Sequence, residues 1–337
     1  MRVLVTGAGG FVGSHAARQL MERGHEVRLL LRKPLAREWM SDAEVVLGDL
    51  GDLPSLRKAV SGVEGVVHCA AKSGIWGPLA EYLENNTMGT NRLLEAARQG
   101  GVGRFVYTSS YSVIHSSESL AGIDETRPYT LDPSAPYPYS KMLAERLVLL
   151  ANNPSFKTVA LRPHLVWGPW DPHILPRLVE RSRKGRLILF SGGPYMIDAT
   201  YIDNVALAHR LALEKLDEGA PVDGEVFFIG QDQPQDLNEF INLLLASVNA
   251  PPARRTVPPG LGRAAARVLE RVCQALGVRR EPPSTIFAAS QMSASHWSNL
   301  DKAKKLLGYE PVVSVAEGLR RLGEAAALRG YAVGGRK

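Results

Sequence analysis

The chain has 337 residues, 45% of them hydrophobic and 22% charged, so its composition is that of a globular enzyme with enough apolar side chains for a sizeable core. Two cysteines, Cys69 and Cys273, exclude a disulfide framework, and neighbouring His68 would point away from Cys69 in a strand, so we expect no metal site. The net charge of +6 raises nucleic acid as a partner, but the basic residues within 177–184 recur at the spacing of a solvated helix face. We therefore expect no nucleic-acid partner.

The first residues carry no signal for export. Met1 and Arg2 lead directly into the strand-like run Val3 to Val5, without the basic segment and long apolar stretch of a signal peptide. The longest apolar runs, such as 147–151, fall far short of the roughly 20 residues that a membrane span needs. We therefore expect a cytoplasmic protein without a transmembrane segment.

Short apolar runs alternate with helical patterns through the first half of the chain. The predicted strands are Val3 to Val5, Glu26 to Leu31, Val45 to Leu47, Val66 to His68, Phe105 to Tyr107 and Val159 to Leu161. The predicted helices are 14–23, 53–60, 85–98 and 138–151. This alternation predicts an α/β fold, a doubly wound parallel sheet of the Rossmann type with helices on both faces.

The second half of the chain is mostly helical. Its predicted elements are helices 177–183 and 201–213, strand 225–229 and the amphipathic helix 263–276. We predict a dinucleotide-binding core over 1–165, rejoined by about 200–232, and a smaller, discontinuous substrate lobe over 166–199 and 233–337. The lobe is expected to close over the carboxyl ends of the strands, where ligands bind in such sheets. The sequence leaves open whether helix 263–276 covers the substrate, meets a membrane or packs on a partner.

A glycine-rich turn joins the first strand to the first helix. The strict G-x-G-x-x-G pattern fails, but Gly7, Gly10 and Gly13 recur at a spacing of three. Glycine permits a tight turn and a close approach of the backbone to a pyrophosphate, which then lies on amides at the helix N-terminus. Because of its strand-turn-helix context, the turn predicts a dinucleotide site.

The end of the second strand indicates which phosphate state the cofactor has. An acidic residue there binds the ribose hydroxyls of NAD, whereas a 2′-phosphate needs a cation. Leu31 ends this strand, and Arg32 and Lys33 follow it, so we expect NADP(H) in preference to NAD(H). The alternative is that both cations only begin a solvated loop. Asp49 and Leu50, after the third strand, are candidates to meet the adenine or to form an acidic turn.

A phenol and an ammonium stand four residues apart at the start of a predicted helix. Tyr137 and Lys141 therefore share one helix face, whereas Tyr139 lies on a different side. A free tyrosine has a pKa of about 10, and a neighbouring cation stabilises its phenolate, so Lys141 can tune Tyr137 as the proton donor. A hydroxyl from the run Thr108 to Ser110 is expected to bind the reacting oxygen.

These motifs resemble the extended short-chain dehydrogenases/reductases, and the likeness covers nearly the whole chain. It is carried by 6–13 (T-G-x-x-G-x-x-G), Gly48 to Leu50, His68 to Ala71, Asn86 to Thr90, Tyr107 to Ser110, Tyr137 with Lys141, Leu161 to Pro163 and Trp167 to Pro169. The resemblance implies a catalytic triad of Ser110, Tyr137 and Lys141, with Ser110 preferred over Ser109 because it stands three residues before Val113. It also implies that Ala70, Ala71 and Pro163 line the cofactor.

The motifs and the resemblance together give the predicted contacts. The cofactor-binding residues are Gly7, Gly10, Phe11, Val12, Gly13, Arg32, Asp49, Leu50, Ala70, Ala71, Thr108, Tyr137, Lys141, Pro163 and Val166. The substrate-binding residues are Lys72, Trp76, Ser110, His164, Trp167 and Trp170. For the aromatic residues in this second set, ordinary core packing is an equally good interpretation.

Within the family the chain is most similar to the 3β-hydroxysteroid dehydrogenase branch, and there to the 2-alkyl-3-oxoalkanoate reductases of long-chain olefin biosynthesis. The segments that carry this likeness are 70–77, 162–173 and 198–204. It implies that NADPH reduces an apolar β-keto acid to the 3-hydroxy acid. Ser73 and Trp170 stand where smaller residues are expected, so the preferred chain length stays open. A homodimer or an association with other enzymes of lipid metabolism also stays open.

Three other functions share parts of this pattern. A 3β-hydroxysteroid dehydrogenase-like enzyme has the same site. An NAD-dependent sugar-nucleotide epimerase or dehydratase usually carries an acid after the second strand and an arginine before 198–203, where this chain has Leu31 and Ile197. A dinucleotide-sensing protein without chemistry needs no Tyr137 or Lys141. We therefore expect an enzyme, and one whose substrate lacks the phosphates of a sugar nucleotide.

Overall fold

The computed structural model describes residues 1–35 and 37–329, and thirteen strands lie within them. In chain order they are β1 (Arg2–Thr6), β2 (Glu26–Leu31), β3 (Glu44–Leu47), β4 (Gly65–His68), β5 (Arg104–Thr108), β6 (Leu120–Ile123), β7 (Lys157–Pro163), β8 (Ile188–Phe190), β9 (Met196–Ile197), β10 (Glu225–Ile229), β11 (Gln235–Asp236), β12 (Arg255–Val257) and β13 (His296–Ser298).

Eleven α-helices lie within the same described residues. They are α1 (Phe11–Glu22), α2 (Leu53–Val60), α3 (Leu79–Tyr82), α4 (Gly89–Gln99), α5 (Pro136–Leu150), α6 (Ile174–Arg183), α7 (Ile202–Glu218), α8 (Leu237–Ser247), α9 (Pro259–Ala275), α10 (Ile286–Met292) and α11 (Val315–Arg329). Short 3-10 turns cover Glu38–Met40 and Tyr111–Ile114, and π-helical segments cover Leu83–Met88 and Ala303–Leu307.

Seven parallel strands form the central sheet in the order β10-β7-β5-β4-β1-β2-β3. One face is covered by α1 and α7 and the other by α2, α4 and α5, so the side chains of Val3, Leu4 and Val5 are all fully buried. The strand order reverses between β1 and β4, which opens a crevice at their carboxyl ends. The predicted doubly wound sheet is therefore confirmed.

Helices α1, α5, α6 and α9 begin earlier than the sequence predicts, and the early starts of α1 and α5 concern the crevice. Helix α1 starts at Phe11, directly after the glycine turn, rather than at Ser14. Helix α5 starts at Pro136 rather than at Pro138, because the amide of Tyr139 already donates to the carbonyl of Ala135. Both starts carry the first helical turn closer to the crevice.

A second hydrophobic core lies in the segments predicted to form the lobe. It is centred on Trp167, Phe240 and Leu322, and Phe11 and Val12 of the glycine turn pack against its edge. Four strands in the order β11-β9-β13-β6 and the pair β8–β12 frame this core. The glycine turn therefore lies between the two cores, at the mouth of the crevice.

Two segments cross the division that the sequence predicts. Strand β6, from within 1–165, pairs with β13 of the lobe, since both run along the same edge of the crevice. Conversely, Leu300, Leu307 and Tyr309 pack into the core beneath α7, because the chain returns to the sheet there before α11. Residues 330–337 of the predicted lobe lie outside the described residues.

A buried ion pair ties α5 to β7. Glu145 and Arg162 are 0% and 2% exposed, and the Glu145 carboxylate accepts from the Arg162 guanidinium at 2.6 and 3.1 Å. The Tyr129 hydroxyl donates to the same carboxylate at 2.7 Å. Because both charges have left water, removal of one partner leaves the other without compensation.

We expect Glu145→Gln to lower the free energy of unfolding by about 3 kcal/mol or more, since it leaves the Arg162 charge buried and unneutralised. Denaturant unfolding monitored by circular dichroism measures the change. The matched control is Glu218→Gln, which removes the exposed ion pair with Lys215 and should cost about 0 to 1 kcal/mol. An equal, small loss in both variants would show that the buried pair contributes no more than a surface pair.

Candidate active site

The turn between β1 and α1 brings backbone segments unusually close together. Gly7 has a φ of +72°, and a Cβ atom there would lie 2.6 Å from the amide nitrogen of Ala70. A Cβ atom on Gly13 would lie 2.4 Å from the Gly7 carbonyl oxygen, to which the Gly10 amide donates at 2.8 Å. Gly7 and Gly13 of the predicted motif therefore occupy positions where a side chain would clash, while a Cβ atom on Gly10 would make a tight contact of 3.2 Å with the Gly7 carbonyl oxygen.

The start of α1 suits a bound pyrophosphate. This helix has twelve residues, and its first turn contains no acidic side chain. Its unsatisfied amides and the positive end of its dipole face the crevice between the two cores. Phe11 and Val12 are half-buried against the lobe, so the turn is walled on both sides. The residues present therefore fit the dinucleotide that the sequence predicts.

A buried histidine holds the end of β4 against β1. His68 Nε2 donates to the Thr90 hydroxyl at 2.9 Å, and His68 Nδ1 accepts from the Thr6 hydroxyl at 2.7 Å. The Thr6 oxygen in turn accepts from the amide of Ala70 at 3.2 Å. Burial lowers the pKa of His68 to about 3, so the ring is neutral near pH 7. This series of hydrogen bonds fixes the backbone of Ala70, which the sequence predicts to contact the cofactor. Ala71, the next residue, is exposed.

Basic side chains follow β2. Leu31 ends the strand and is buried, and Arg32 and Lys33 after it are exposed. The guanidinium of Arg37 donates to the Gly9 carbonyl at 3.2 Å, which brings a third cation to the glycine turn. Arg37 was not among the predicted contacts, since its only signal in the sequence was a positive charge in a loop.

The turn after β3 carries the two residues predicted to meet the adenine. The Asp49 carboxylate accepts from the Gly51 amide at 2.8 Å, so it caps its own turn. Leu50 is half-buried against α4, where a Cβ atom on Gly89 would lie 3.0 Å from the Cβ of Leu50. Contact of either residue with adenine stays a prediction.

The structure brings Ser110 and Tyr137 together at the carboxyl end of the sheet. Burial raises the pKa of the Tyr137 phenol, and a hydrogen bond with the Ser110 hydroxyl acts in the opposite direction. Ser110 begins the 3-10 turn after β5, and its oxygen lies 2.8 Å from the Ser112 hydroxyl. Ser109 and Tyr139 instead turn toward the core. The two side chains predicted to act on the substrate therefore lie together, and their catalytic roles stay predictions.

The Lys141 ammonium lies one helical turn beyond Tyr137 and is 3% exposed. It donates to the Thr108 carbonyl at 2.5 Å and lies 4.1 Å from the centre of the Tyr107 ring. Burial lowers the pKa of Lys141 to about 7. In this arrangement β5 holds the ammonium. That the charge of Lys141 lowers the pKa of Tyr137 stays a prediction.

Thr108 is positioned by a residue that the sequence analysis missed. The Thr108 hydroxyl donates to His209 Nε2 at 2.6 Å, while His209 Nδ1 donates to the Val205 carbonyl at 2.7 Å. Burial lowers the pKa of His209 to about 4, which keeps the accepting nitrogen free of a proton. Thr108 also lies 3.1 Å from the sulfur of Cys69, whose pKa burial raises to about 11, so that thiol stays protonated. Since His209 lies 101 residues from Thr108 in sequence, its link to the site had no local signal.

Asn86 joins the loop after β4 to α5. Its side-chain oxygen accepts from the Lys72 amide at 2.7 Å, and its side-chain nitrogen donates to the Lys72 carbonyl at 3.1 Å and the Ser140 hydroxyl at 2.9 Å. Ser140 donates in turn to the Tyr137 carbonyl at 2.9 Å. Asn86 entered the sequence analysis only as part of a family motif, and it positions the helix that carries the phenol.

Three predicted substrate residues lie around the mouth of the crevice. The Lys72 ammonium pairs with Glu81 at 2.8 Å, and the Trp76 indole donates to the Val278 carbonyl at 2.9 Å. Trp170 is 49% exposed and has a φ of +70°. The loop that carries Lys72 and Trp76 therefore connects the cofactor side of the crevice to the segment after α9.

Besides Ser110, the predicted substrate residues also include His164 and Trp167, and both are buried. His164 bonds to the Asp198 carbonyl at 3.0 Å and to His296 at 2.8 Å, and burial lowers the pKa of His164 to about 3. The Trp167 indole is 2% exposed and donates to the Ala199 carbonyl at 3.1 Å. The Trp167 side chain thus packs in the core of the lobe, because the chain turns inward after β7. Both side chains are bonded within the lobe, and contact of His164 or Trp167 with the substrate stays a prediction.

Pro163 and Val166 complete the predicted cofactor contacts. Pro163 ends β7 and is buried, and Val166 is half-buried against the lobe core, next to the glycine turn. Among the described residues, no group of three or more histidine, cysteine, aspartate or glutamate side chains is arranged to hold a metal ion. No helix in that part of the chain has both the length and the apolar character needed to cross a membrane.

Comparisons with known proteins agree with this geometry. The 3-beta hydroxysteroid dehydrogenase/isomerase family matches residues 4–259. The chain is 43% identical over 331 residues to the 2-alkyl-3-oxoalkanoate reductase of Stenotrophomonas maltophilia (strain K279a), covering 97% of this chain and 100% of that protein. It is 31% identical to a decarboxylating sterol-4-alpha-carboxylate 3-dehydrogenase of Mus musculus, covering 94% of this chain and 88% of that one.

Among solved structures, MoeE5 in complex with UDP-glucose and NAD superposes with a TM-score of 0.75. The two chains are 26% identical, and the match covers 97% of this chain and 99% of that one. The shared fold and the fitted glycine turn both indicate a nicotinamide dinucleotide as cofactor. The chain therefore belongs to the 3-beta hydroxysteroid dehydrogenase/isomerase family, within the extended short-chain dehydrogenases/reductases, and is an NAD(P)-dependent oxidoreductase.

Proposed function

We propose that this protein is an NADPH-dependent ketoreductase that converts a 2-alkyl-3-oxoalkanoic acid into the 3-hydroxy acid. The observation that carries the proposal is the meeting of the Ser110 hydroxyl and the Tyr137 phenol beside the buried Lys141 ammonium. The 2-alkyl-3-oxoalkanoate reductase that shares 43% of its residues supports this substrate class.

The dinucleotide, when bound at the glycine turn, would supply the hydride that adds to the ketone carbon, and the electron pair of the C=O π bond would move to oxygen. Ser110 donates a hydrogen bond to that oxygen as its charge grows. Tyr137 then transfers its phenolic proton to the oxygen, which completes the alcohol. Because burial raises the pKa of Tyr137, the phenol carries its proton near pH 7 before the hydride arrives. The proton of the resulting phenolate is replaced from solvent.

Charge around the site supports the choice of cofactor and of substrate. The segment after β2 carries three cations, Arg32, Lys33 and Arg37, which we assign to a 2′-phosphate. Leu31, at the end of the strand, has no carboxylate that would repel this phosphate. Ile197, buried in β9, stands where a sugar-nucleotide enzyme usually has an arginine. We assign the substrate carboxylate to Lys72, because its half-exposed pair with Glu81 is weak enough to exchange partners.

We expect Tyr137→Phe to lower turnover at least about a hundredfold, since it deletes the transferred proton and keeps the ring. NADPH oxidation with a hydrophobic β-keto acid measures the loss, and the dissociation constant for NADPH should change little. Tyr139→Phe is the matched control, because that phenol packs against the core. Near-normal turnover of Tyr137→Phe, with Tyr139→Phe inactive, would identify the wrong phenol.

We expect the affinity for NADPH to fall as the pH rises above about 7. Because burial lowers the pKa of Lys141 to about 7, its ammonium, which we assign to the ribose hydroxyls, is complete only below that pH. The dissociation constant should rise by up to about tenfold per pH unit above pH 7. Fluorescence titration of NADPH across the pH range tests this. In Lys141→Met, NADPH should bind more weakly, and its dissociation constant should no longer rise above pH 7 through loss of the lysine charge. The same rise of the dissociation constant in this variant would contradict the assignment of Lys141 to the ribose.

We expect Arg32→Ala to weaken NADPH binding by roughly tenfold to a hundredfold, because a charge-assisted contact with the 2′-phosphate is worth ~1.5 to 3 kcal/mol. NADH binding should stay nearly constant in the same titrations. Arg98→Ala, at the far end of α4, controls for the loss of a surface charge. If the affinities for NADPH and NADH fell equally, Arg32 would only support the loop.

A further inference from the structure

Helix α9 packs on the lobe by one side only. Ala266 is the buried residue of this helix, and Gly262 beside it faces Phe190, where a Cβ atom would lie 2.4 Å from the ring. On the same side the Glu270 carboxylate accepts from the Ile286 amide at 2.7 Å, which ties α9 to α10. These contacts define the inner face of the helix.

The outer face of α9 is apolar where a surface helix is normally polar. Leu261, Val268, Val272 and Leu276 follow one another at intervals of seven, four and four residues, so they form one stripe. They are 63%, 63%, 48% and 74% exposed. We call these four residues the apolar stripe. Leaving such a stripe in water is unfavourable, so it calls for an apolar partner.

The charges around the apolar stripe are almost all positive. Residues 249–281 contain seven arginines and two glutamates. Both glutamates have partners inside the fold, since Glu270 accepts from the Ile286 amide and Glu281 pairs with Arg177 at 2.6 Å. Of the arginines, Arg267 and Arg271 lie exposed on α9 itself. Two copies of this face would set arginine against arginine, so a second copy of the chain fits poorly.

The apolar stripe lies beside the mouth of the active site. The segment directly after α9 accepts the Trp76 indole at the Val278 carbonyl, and Trp76 stands on the loop that Asn86 ties to α5. On the other side, the Gln291 amide donates to the Ser116 carbonyl at 3.1 Å, just beyond the turn that begins at Ser110. The pair α9–α10 therefore forms a roof over the crevice, with the apolar stripe on its outer surface.

We propose that α9 lies in the headgroup layer of an anionic lipid bilayer, with the apolar stripe toward the acyl chains and its arginines on lipid phosphates. A helix of 17 residues with an apolar face and a basic border suits this interfacial position rather than a membrane span. Resting on the proposed function, this position would bring the crevice mouth to the surface into which a substrate with long alkyl chains partitions.

The test is sedimentation of the full-length protein with vesicles, without substrate or cofactor. We expect binding to vesicles of equimolar phosphatidylcholine and phosphatidylglycerol, and weaker binding to phosphatidylcholine alone. The double variant Val268→Asp/Val272→Asp should lose binding at least about tenfold, because it places charges in the acyl layer. Arg267→Ala/Arg271→Ala should weaken binding to the anionic vesicles on the order of tenfold and reduce its salt dependence.

The control is Leu131→Asp, which changes a side chain that is 70% exposed elsewhere and should bind vesicles like the original protein. Thermal unfolding and reduction of a short, water-soluble β-keto ester show whether each variant is folded. Failure of the original protein to bind anionic vesicles, or unchanged binding by the Val268→Asp/Val272→Asp variant, would overturn the proposal. The proposal would also be overturned if light scattering showed that the original protein is a dimer and that the Val268→Asp/Val272→Asp variant is a monomer. Vesicle binding needs no catalysis, so this result is independent of the proposed function.

Discussion

The site depends on an ammonium that the fold has taken out of water. Lys141 is almost fully buried, and the Thr108 carbonyl and the Tyr107 ring replace part of the hydration that its ammonium has lost. Both groups belong to β5, so the lysine fixes the position of α5 relative to that strand. Tyr137, four residues earlier on the same helix face, is thereby brought to Ser110 at the end of β5.

Neutral histidines supply much of the rigidity around this ammonium. His68 bridges Thr6 and Thr90, and His209 bridges Thr108 and Val205, so each ring joins two elements that are distant in sequence. Because burial lowers the pKa of both rings far below 7, neither carries a charge that would oppose Lys141. In the mechanism that we propose, the acid–base chemistry is thus left to Tyr137 and Lys141, while the histidines act as hydrogen-bonded spacers of fixed tautomer.

The sequence predicted the parts of the site that lie close together along the chain. The glycine turn and the pair Tyr137 and Lys141 follow local spacing rules, and the strand before the turn and the helix that carries the pair were both predicted from local sequence patterns. His209 had no such signal, because its contact with Thr108 exists only after α7 packs on the sheet. Trp167 shows the converse limit, since an aromatic residue near a predicted mouth has the same local pattern whether it lines a pocket or fills a core.

For helix α9, too, the sequence pattern did not predict what the apolar side chains contact. Its periodicity predicted an amphipathic helix, but a stripe of leucine and valine has the same spacing whether it faces a protein core or a lipid. In this fold the side that packs on the lobe is instead formed by small residues, Gly262 and Ala266, which allow close approach to Phe190. The larger apolar side chains are therefore left for the outer face. Their arginine border matches the charge of anionic headgroups better than the interior of a protein interface, where unpartnered cations are costly.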